Sequence, residues 1–343
     1  MGIDATLWDA DPGWLNTASY GLPPRRTWEA LQTALGQWRR GTTSWEGWEE
    51  GVGESRALFA RLVGVDAADV AIGSTVSEMM GLVAAALPDG ARVLLPDIEF
   101  TSNVFPWAVH AHRGVEVVAV PLEELIERID DRTDLVAVSA VQSATGAVTD
   151  LAAVSAAARS HGALVAVDAT QAVGWLPTDA RLTDFLAVGA YKWLMSPRGS
   201  AFLYVAPQHR DRLVPLAAGW YAGDSVHDSY YGLPLRLSAE ARRFDISPAW
   251  FSWVGTAPSL QTVLDLGVDA IHAHDVGLAN RFRAGLGMPP GDSAIVTAAV
   301  DGAAERLEQA GIRAATRAGA TRLSFHCYST EDDVDRALGA LAG

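Results

Sequence analysis

Lys192 is the only lysine among 26 basic residues; the other 25 are arginine. Arginine is the better source of fixed charge, hydrogen-bond forks and stacking surface. Lysine alone offers a primary amine that can lose its proton and condense with an aldehyde. A chain that uses arginine elsewhere and keeps Lys192 points to the amine itself. The competing explanation is compositional drift, with Lys192 an accident on the surface. Its neighbours decide. Asp168 closes the apolar run Leu164-Val165-Ala166-Val167-Asp168, and Gln171 follows three residues later. A strand-end carboxylate beside a lysine suits pyridoxal phosphate. The lysine binds the aldehyde, and the aspartate keeps the pyridinium nitrogen protonated so that the ring can accept carbanion electrons.

A phosphate needs a cradle. Gly73-Ser74-Thr75-Val76-Ser77-Glu78 lies between a short predicted strand, 70–72, and a predicted helix, 76–87. Glycine, two hydroxyls and a helix N-terminus make an anion site. Taken alone, Ser74 and Thr75 read as an ordinary cap.

The elements that must position these groups are legible. Continuously apolar runs at 92–96, 115–120, 135–141, 164–168, 185–188 and 201–205 predict strands of a mostly parallel sheet covered on both faces. A helix over 151–160, opened by Asp150, lies among them, giving the alternation of an α/β fold. Beyond Ser247 the pattern changes. Helices are predicted over 257–266, 303–310 and 331–341, and strands over 295–300 and 322–327. Thr330 and Asp333 form a candidate capping box. The expected division is an N-terminal arm (1–25), a large cofactor-binding domain (26–246) and a smaller α+β domain (247–343).

Composition narrows the function classes. A net charge of −15 argues against nucleic acid and anionic membranes as partners. One cysteine, Cys327, excludes an internal disulfide and a cysteine-rich metal site, and no metal is expected. No apolar run is long enough for a membrane span, and the cytoplasm is the expected location. The acidic start, Met1 to Thr6, lacks a signal-peptide n-region and matches an N-myristoylation pattern only formally.

The chain resembles the class V aminotransferases, fold-type I pyridoxal-phosphate enzymes that include cysteine desulfurases and kynureninases. Asp168-Ala169-Thr170-Gln171 matches the family's Asp-x-x-Gln block, and Tyr191-Lys192 with Pro197-Arg198-Gly199 matches its lysine block. The resemblance implies several roles. Ser74 and Thr75 fall on the phosphate loop, and Phe100 falls where a ring stacks on the cofactor. Arg322 falls on the carboxylate-binding arginine, and Asn16-Thr17-Ala18-Ser19-Tyr20-Gly21 on a loop that closes over substrate, with Ala18 and Tyr20 as contacts. Arg243 to Pro248 falls on a segment that reaches the neighbouring subunit's phosphate, which implies a homodimer and a role for Ser247. Tyr191 stands where many members have histidine, as a further phosphate or proton group. Ser143 stands where many have asparagine, so Gln171 is the expected partner of the cofactor's phenolic oxygen.

A desulfurase needs a thiol beside the substrate. Cys327 lies five residues past Arg322 on one predicted strand, and an odd offset puts the two on opposite faces. Cys327 is therefore expected to be a buried hydrophobe. Segments at 219–223, 241–245 and 279–287 are similar to the lyases that cleave hercynylcysteine sulfoxide to ergothioneine, pyruvate and ammonia. That likeness implies a small amino-acid substrate, Lys192 as the base at Cα, Tyr191 or Tyr20 as leaving-group acid, and an aromatic wall for a trimethylammonium, with Trp220, Tyr221, Tyr230 and Tyr231 as candidates. The alternatives are another class V enzyme on a different amino acid (desulfurase, epimerase or aminotransferase), a non-catalytic cofactor-binding regulator, and a binding protein with Lys192 on its surface.

Overall fold

The computed structural model describes residues 3–342; Met1 and Gly2, within the formal N-myristoylation pattern, lie outside them. A seven-stranded sheet forms from β1 (Val70–Gly73), β2 (Arg92–Pro96), β3 (Glu116–Val120), β4 (Leu135–Ser139), β5 (Leu164–Asp168), β6 (Phe185–Gly189) and β7 (Ala201–Val205). Their order is β1-β7-β6-β5-β4-β2-β3. The β3-β2-β4-β5-β6 pairs are parallel, and β7 pairs antiparallel with both β6 and β1. Strands β1, β4, β6 and β7 are buried at every position. Water reaches neither face, so these strands are apolar throughout instead of alternating.

Two apolar cores flank the sheet. One holds Val76, Met80 and Val83 of α3 (Val76–Ala85) against Val93, Ala137 and Leu203. The other holds Phe59 of α2 (Glu46–Val63), which stacks on Phe202 at 4.2 Å between ring centroids. Two further helices are α1 (Arg25–Arg40) and α5 (Leu151–Ser160), with the one-turn α4 (Phe105–Ala108) between α3 and α5. The expected cap of α5 is present: Asp150 accepts from the Ala153 N–H at 2.9 Å.

A three-stranded antiparallel sheet, β8-β10-β9, forms from β8 (Ile295–Ala298), β9 (Ala315–Arg317) and β10 (Ala320–Ser324). Its core combines Val296 and Leu323 with Phe282 of α7 (Val268–Gly285), Leu307 of α8 (Ala303–Gln309) and Val334 of α9 (Glu331–Ala342). The Thr330 hydroxyl accepts from the Asp333 N–H at 3.2 Å, and the Asp333 carboxylate accepts from the Thr330 N–H at 3.0 Å, completing the capping box that opens α9.

Three differences from the sequence reading have physical reasons. The helix expected over 257–266 is α6 (Trp250–Leu266), which starts about two turns earlier and carries Pro258 inside it. The chain after 247 does not pack wholly on the small sheet: Trp253, Leu260 and Val263 of α6 belong to the core of the large sheet. Leu15 of the N-terminal arm joins the small core. The strand expected over 322–327 ends at Ser324, so the parity argument that set Cys327 opposite Arg322 loses its premise.

Candidate active site

Asp168 ends β5, and Lys192 lies in the turn that follows β6, so neighbouring strands bring the two together at one sheet edge. Thr170 ties these strand ends, donating its N–H to Asp168 and accepting from the Gly189 N–H, each at 2.9 Å. Lys192 is buried, which contradicts the surface-accident reading. Burial pushes its amine down to about 8, against the attraction of Asp168 and with help from Arg322 and Arg198. Burial also pushes the Asp168 carboxyl up, although the lysine attracts it. Among the described residues the two form no ion pair. A buried amine and a buried carboxylate that feel each other's charge without pairing suit a ring carrying a protonated nitrogen. The Phe100 ring centroid is 5.6 Å from Lys192 Nζ. Tyr191 lies at the same distance from Nζ, with Arg198 over its face at 4.7 Å. Burial raises the Tyr191 phenol above its ordinary value, so it keeps its proton at neutral pH.

Arg322 of β10 is almost completely buried and has no carboxylate partner among the described residues. It donates to the Ser143 carbonyl at 2.5 Å, to the Ser143 hydroxyl at 3.1 Å and to the Ser19 hydroxyl at 3.1 Å. Its Nε is buried without an acceptor. Burial, and then Arg317, push its basicity down to about 10, which leaves it charged at neutral pH. A buried guanidinium with an orphaned donor and only neutral partners fits an incoming carboxylate.

Gln171 sits between these groups but departs from its expected role. Its carbonyl accepts from the Trp193 indole at 2.8 Å, and its amide donates to the Ala18 carbonyl at 2.9 Å and the Ser143 hydroxyl at 3.1 Å. Both amide protons are thus committed within the chain. Ser143 Oγ accepts from Gln171 and Arg322, so its own proton is the one left to point at a ligand.

The N-terminal arm closes the site from outside. Ala18 donates its N–H to Ser324 at 2.9 Å, and the Gly21 N–H bonds the Tyr191 carbonyl at 2.9 Å. A Cβ at Gly21 would stand 2.1 Å from the Lys192 carbonyl oxygen, so only glycine allows this approach. Tyr20 is half-exposed and packs on Trp14, with ring centroids 4.4 Å apart. Ser19, Tyr20, Trp28, Tyr191 and Arg198 line one open groove of about 330 Å³, which places both candidate proton donors on the same groove.

The remaining candidates are looser. The Thr75 hydroxyl caps α3, accepting from the Glu78 N–H at 3.3 Å, and Glu78 accepts from the Ser74 N–H at 2.8 Å. Thr75 is exposed and Ser74 half-buried, so this helix start also faces solvent. Ser247 is exposed, two residues after Asp245. That buried aspartate accepts from Arg56 at 2.6 Å and from the Ile72 N–H at 2.8 Å, which pins the segment to β1. Trp220 is not gathered with the lysine group: its ring contacts are with Trp45, Tyr221 and Tyr230. Cys327 is buried, and burial pushes its thiol well above the ordinary range, so the expected inert hydrophobe stands on burial instead of strand parity.

Sequence reasoning missed the role of Glu99. This buried carboxylate accepts from the Ser139 N–H at 2.7 Å, the Ser139 hydroxyl, Gln142 at 3.1 Å and the Phe100 N–H at 2.9 Å. It therefore fixes Phe100 beside the lysine from the end of β4. Burial, with Asp168 nearby, pushes its carboxyl up. The available signal was an acid directly before the candidate stacking ring.

Comparison with known proteins gives the family and the fold. The family profile described as "Aminotransferase class-V" matches residues 28–298. An uncharacterized aminotransferase, YcbU, of Bacillus subtilis is 30% identical, covering 88% of this chain and 85% of that protein. The isopenicillin N epimerase of Streptomyces clavuligerus is 29% identical, covering 84% of each. Among solved structures, the cystine C–S lyase C-DES in complex with cysteine persulfide superposes with a TM-score of 0.88 at 22% identity, over 97% of this chain and 98% of that one. The apo cysteine desulfurase of Thermococcus onnurineus NA1 gives 0.85 at 21% identity, over 99% and 97%. A C-DES variant with glycine covalently linked to its PLP cofactor gives 0.88 at 22% identity, over 99% of each chain. The chain belongs to the class V aminotransferase family, with the α/β architecture of fold-type I.

Proposed function

We propose that this protein is a pyridoxal-phosphate enzyme that removes the Cα proton of a small α-amino acid and expels a sulfur substituent from Cβ. The observation that carries the reading is the buried, carboxylate-free Arg322 on the same site as the buried Lys192. Arg322, with Ser143 and Ser19 behind it, holds the substrate carboxylate. Lys192 binds the cofactor and then takes the Cα proton, its depressed basicity keeping part of the amine neutral near pH 8. Asp168 holds the proton on the ring nitrogen. When bound, the cofactor supplies the electron sink. Tyr191 and Tyr20 both remain candidates to protonate the leaving group. Ser74, Thr75 and the partner-facing Ser247 are assigned to phosphate, and a homodimer in the cytoplasm is part of the reading.

The burial of Cys327 and its raised thiol support release of sulfur without a persulfide on the enzyme. At the level of substrate, another class V activity on a different amino acid has the broader support. The relatives include the epimerase above and a probable cysteine desulfurase of Methanothermobacter thermautotrophicus, 28% identical over 67% of this chain and 60% of that protein. Cleavage of hercynylcysteine sulfoxide rests on three short sequence segments, and Trp220 has not joined the lysine group. The test is incubation of the holoenzyme with L-cystine, L-cysteine and hercynylcysteine sulfoxide in deuterium oxide. Pyruvate formation and Cα deuterium are read, with Lys192→Ala as control. Pyruvate from a cysteine conjugate supports the lyase. Deuterium or epimer without pyruvate moves the assignment to the epimerase alternative. Full activity in Lys192→Ala would sink the mechanism.

A further inference from the structure

His326 and Asp275 are fully buried, at 0% exposure, and lie outside the groups assigned above. His326 follows β10 by two residues; Asp275 is on α7. The imidazole Nδ1 is 2.7 Å from an Asp275 carboxyl oxygen, and Nε2 is 3.0 Å from the Trp193 carbonyl. A carbonyl only accepts, so Nε2 must carry a proton. The 2.7 Å contact between Nδ1 and Asp275 needs a proton of its own as well, so Asp275 holds the ring in place with Nε2–H aimed at that carbonyl. Its other carboxyl oxygen is buried with no partner, so holding His326 is the one hydrogen-bonding task this carboxylate performs among the described residues. Cys327 lies within 4.8 Å of both groups, but both ring nitrogens are engaged, which leaves no imidazole lone pair for a metal.

The carbonyl that His326 holds belongs to the residue directly after Lys192. Trp193 is fixed again by its indole N–H to Gln171 and by an edge contact with the His326 ring at 5.1 Å. On the other side of the lysine, Gly21 holds the Tyr191 carbonyl. Lys192 is thus gripped on both sides, at the peptide before it by the arm and one peptide beyond the next by the pair from the C-terminal part. We propose that His326, held in place by Asp275, is a positioning residue that sets the backbone of Lys192 and so the direction of its amine.

The inference rests on Lys192 as the cofactor-linking residue. It is tested by amide hydrogen exchange across Lys192 to Ser196 in the holoenzyme and the cofactor-free chain, together with visible circular dichroism of the bound cofactor. His326→Leu should speed exchange by roughly tenfold or more and shrink the visible signal. His326→Gln, whose amide can still donate to the Trp193 carbonyl, should restore both. Asp275→Leu removes the group that holds Nδ1, so it should resemble His326→Leu. In the His326→Gln background it should add nothing, because glutamine has no ring nitrogen for Asp275 to hold. Equal damage from Leu and Gln at 326, or an Asp275→Leu effect of the same size in both backgrounds, would overturn the proposal. If the parent shows no visible band even with added cofactor, the lysine–cofactor reading fails, while exchange in the cofactor-free chain still judges the positioning role.

Discussion

Replacing Lys192 with methionine should stabilise the cofactor-free protein at neutral pH. Burial brings the amine from its ordinary 10.5 to about 8. At 1.36 kcal/mol per pH unit, that difference is a cost of about 3 kcal/mol for holding the charged amine in the fold. Below pH 8 the amine is protonated in both folded and unfolded chains, and the folded state bears the full cost. Between about 8 and 10.5 the unfolded chain binds more protons, so stability rises with pH through that window. Methionine has similar length and no charge. The expected gain for Lys192→Met is therefore up to about 3 kcal/mol at pH 7, shrinking towards zero near pH 10.5. Urea unfolding of both proteins, followed by far-ultraviolet circular dichroism across this range, measures it. A variant less stable than the parent at pH 7, or a gain that does not change with pH, would refute the account of Lys192 as a charge held against burial.

Other substitutions probe the rest of the site. Arg322→Lys exchanges a fork for a point charge and should raise KM for the amino acid roughly 10- to 100-fold, with a smaller effect on kcat; unchanged KM would remove the carboxylate from Arg322. Gly21→Ala places a methyl 2.1 Å from the Lys192 carbonyl oxygen. The lysine turn or the arm must shift, and turnover should fall on the order of 10- to 100-fold; parent-like turnover would show that the arm's approach is not needed. Cys327→Ala should leave sulfur release within about twofold of the parent and cost about 1 kcal/mol in urea unfolding. Loss of turnover there would reinstate a thiol mechanism.

The central sheet was legible because burial on both faces writes itself as unbroken apolar runs; β2, β5 and β7 fall where those runs predict. Lys192 and Asp168 were legible because a lone amine and a strand-end carboxylate are chemically conspicuous. Helices α1, α2 and α7 were not read, since glycines and tryptophans interrupt their apolar spacing. The length of β10 was misjudged because Phe325 and Cys327 are as apolar as strand residues, although the backbone turns away after Ser324. Contacts across long separations left no local trace. Nothing near His326 announces Asp275, 51 residues earlier, and nothing near Gln171 announces the Ala18 carbonyl, 153 residues away. Trp220 shows the reverse case: a conspicuous residue type whose partners proved to be other aromatics.

The arm's pairing with the small sheet has a consequence for how the protein is made. Leu15 bonds Arg313 and Ser324, and Asn16 bridges to Ser324, so segments about 300 residues apart must meet before the arm has a place. Ser74, Phe100, Asp168 and Lys192 all precede the end of β7, whereas Arg322 comes more than a hundred residues later. A chain emerging from the ribosome can therefore assemble the surroundings of the lysine first, while contacts of such high sequence separation form late. During synthesis the amine is present before any guanidinium that could hold a substrate beside it. Capacity for chemistry is then switched on by the last strand and the first residues closing together.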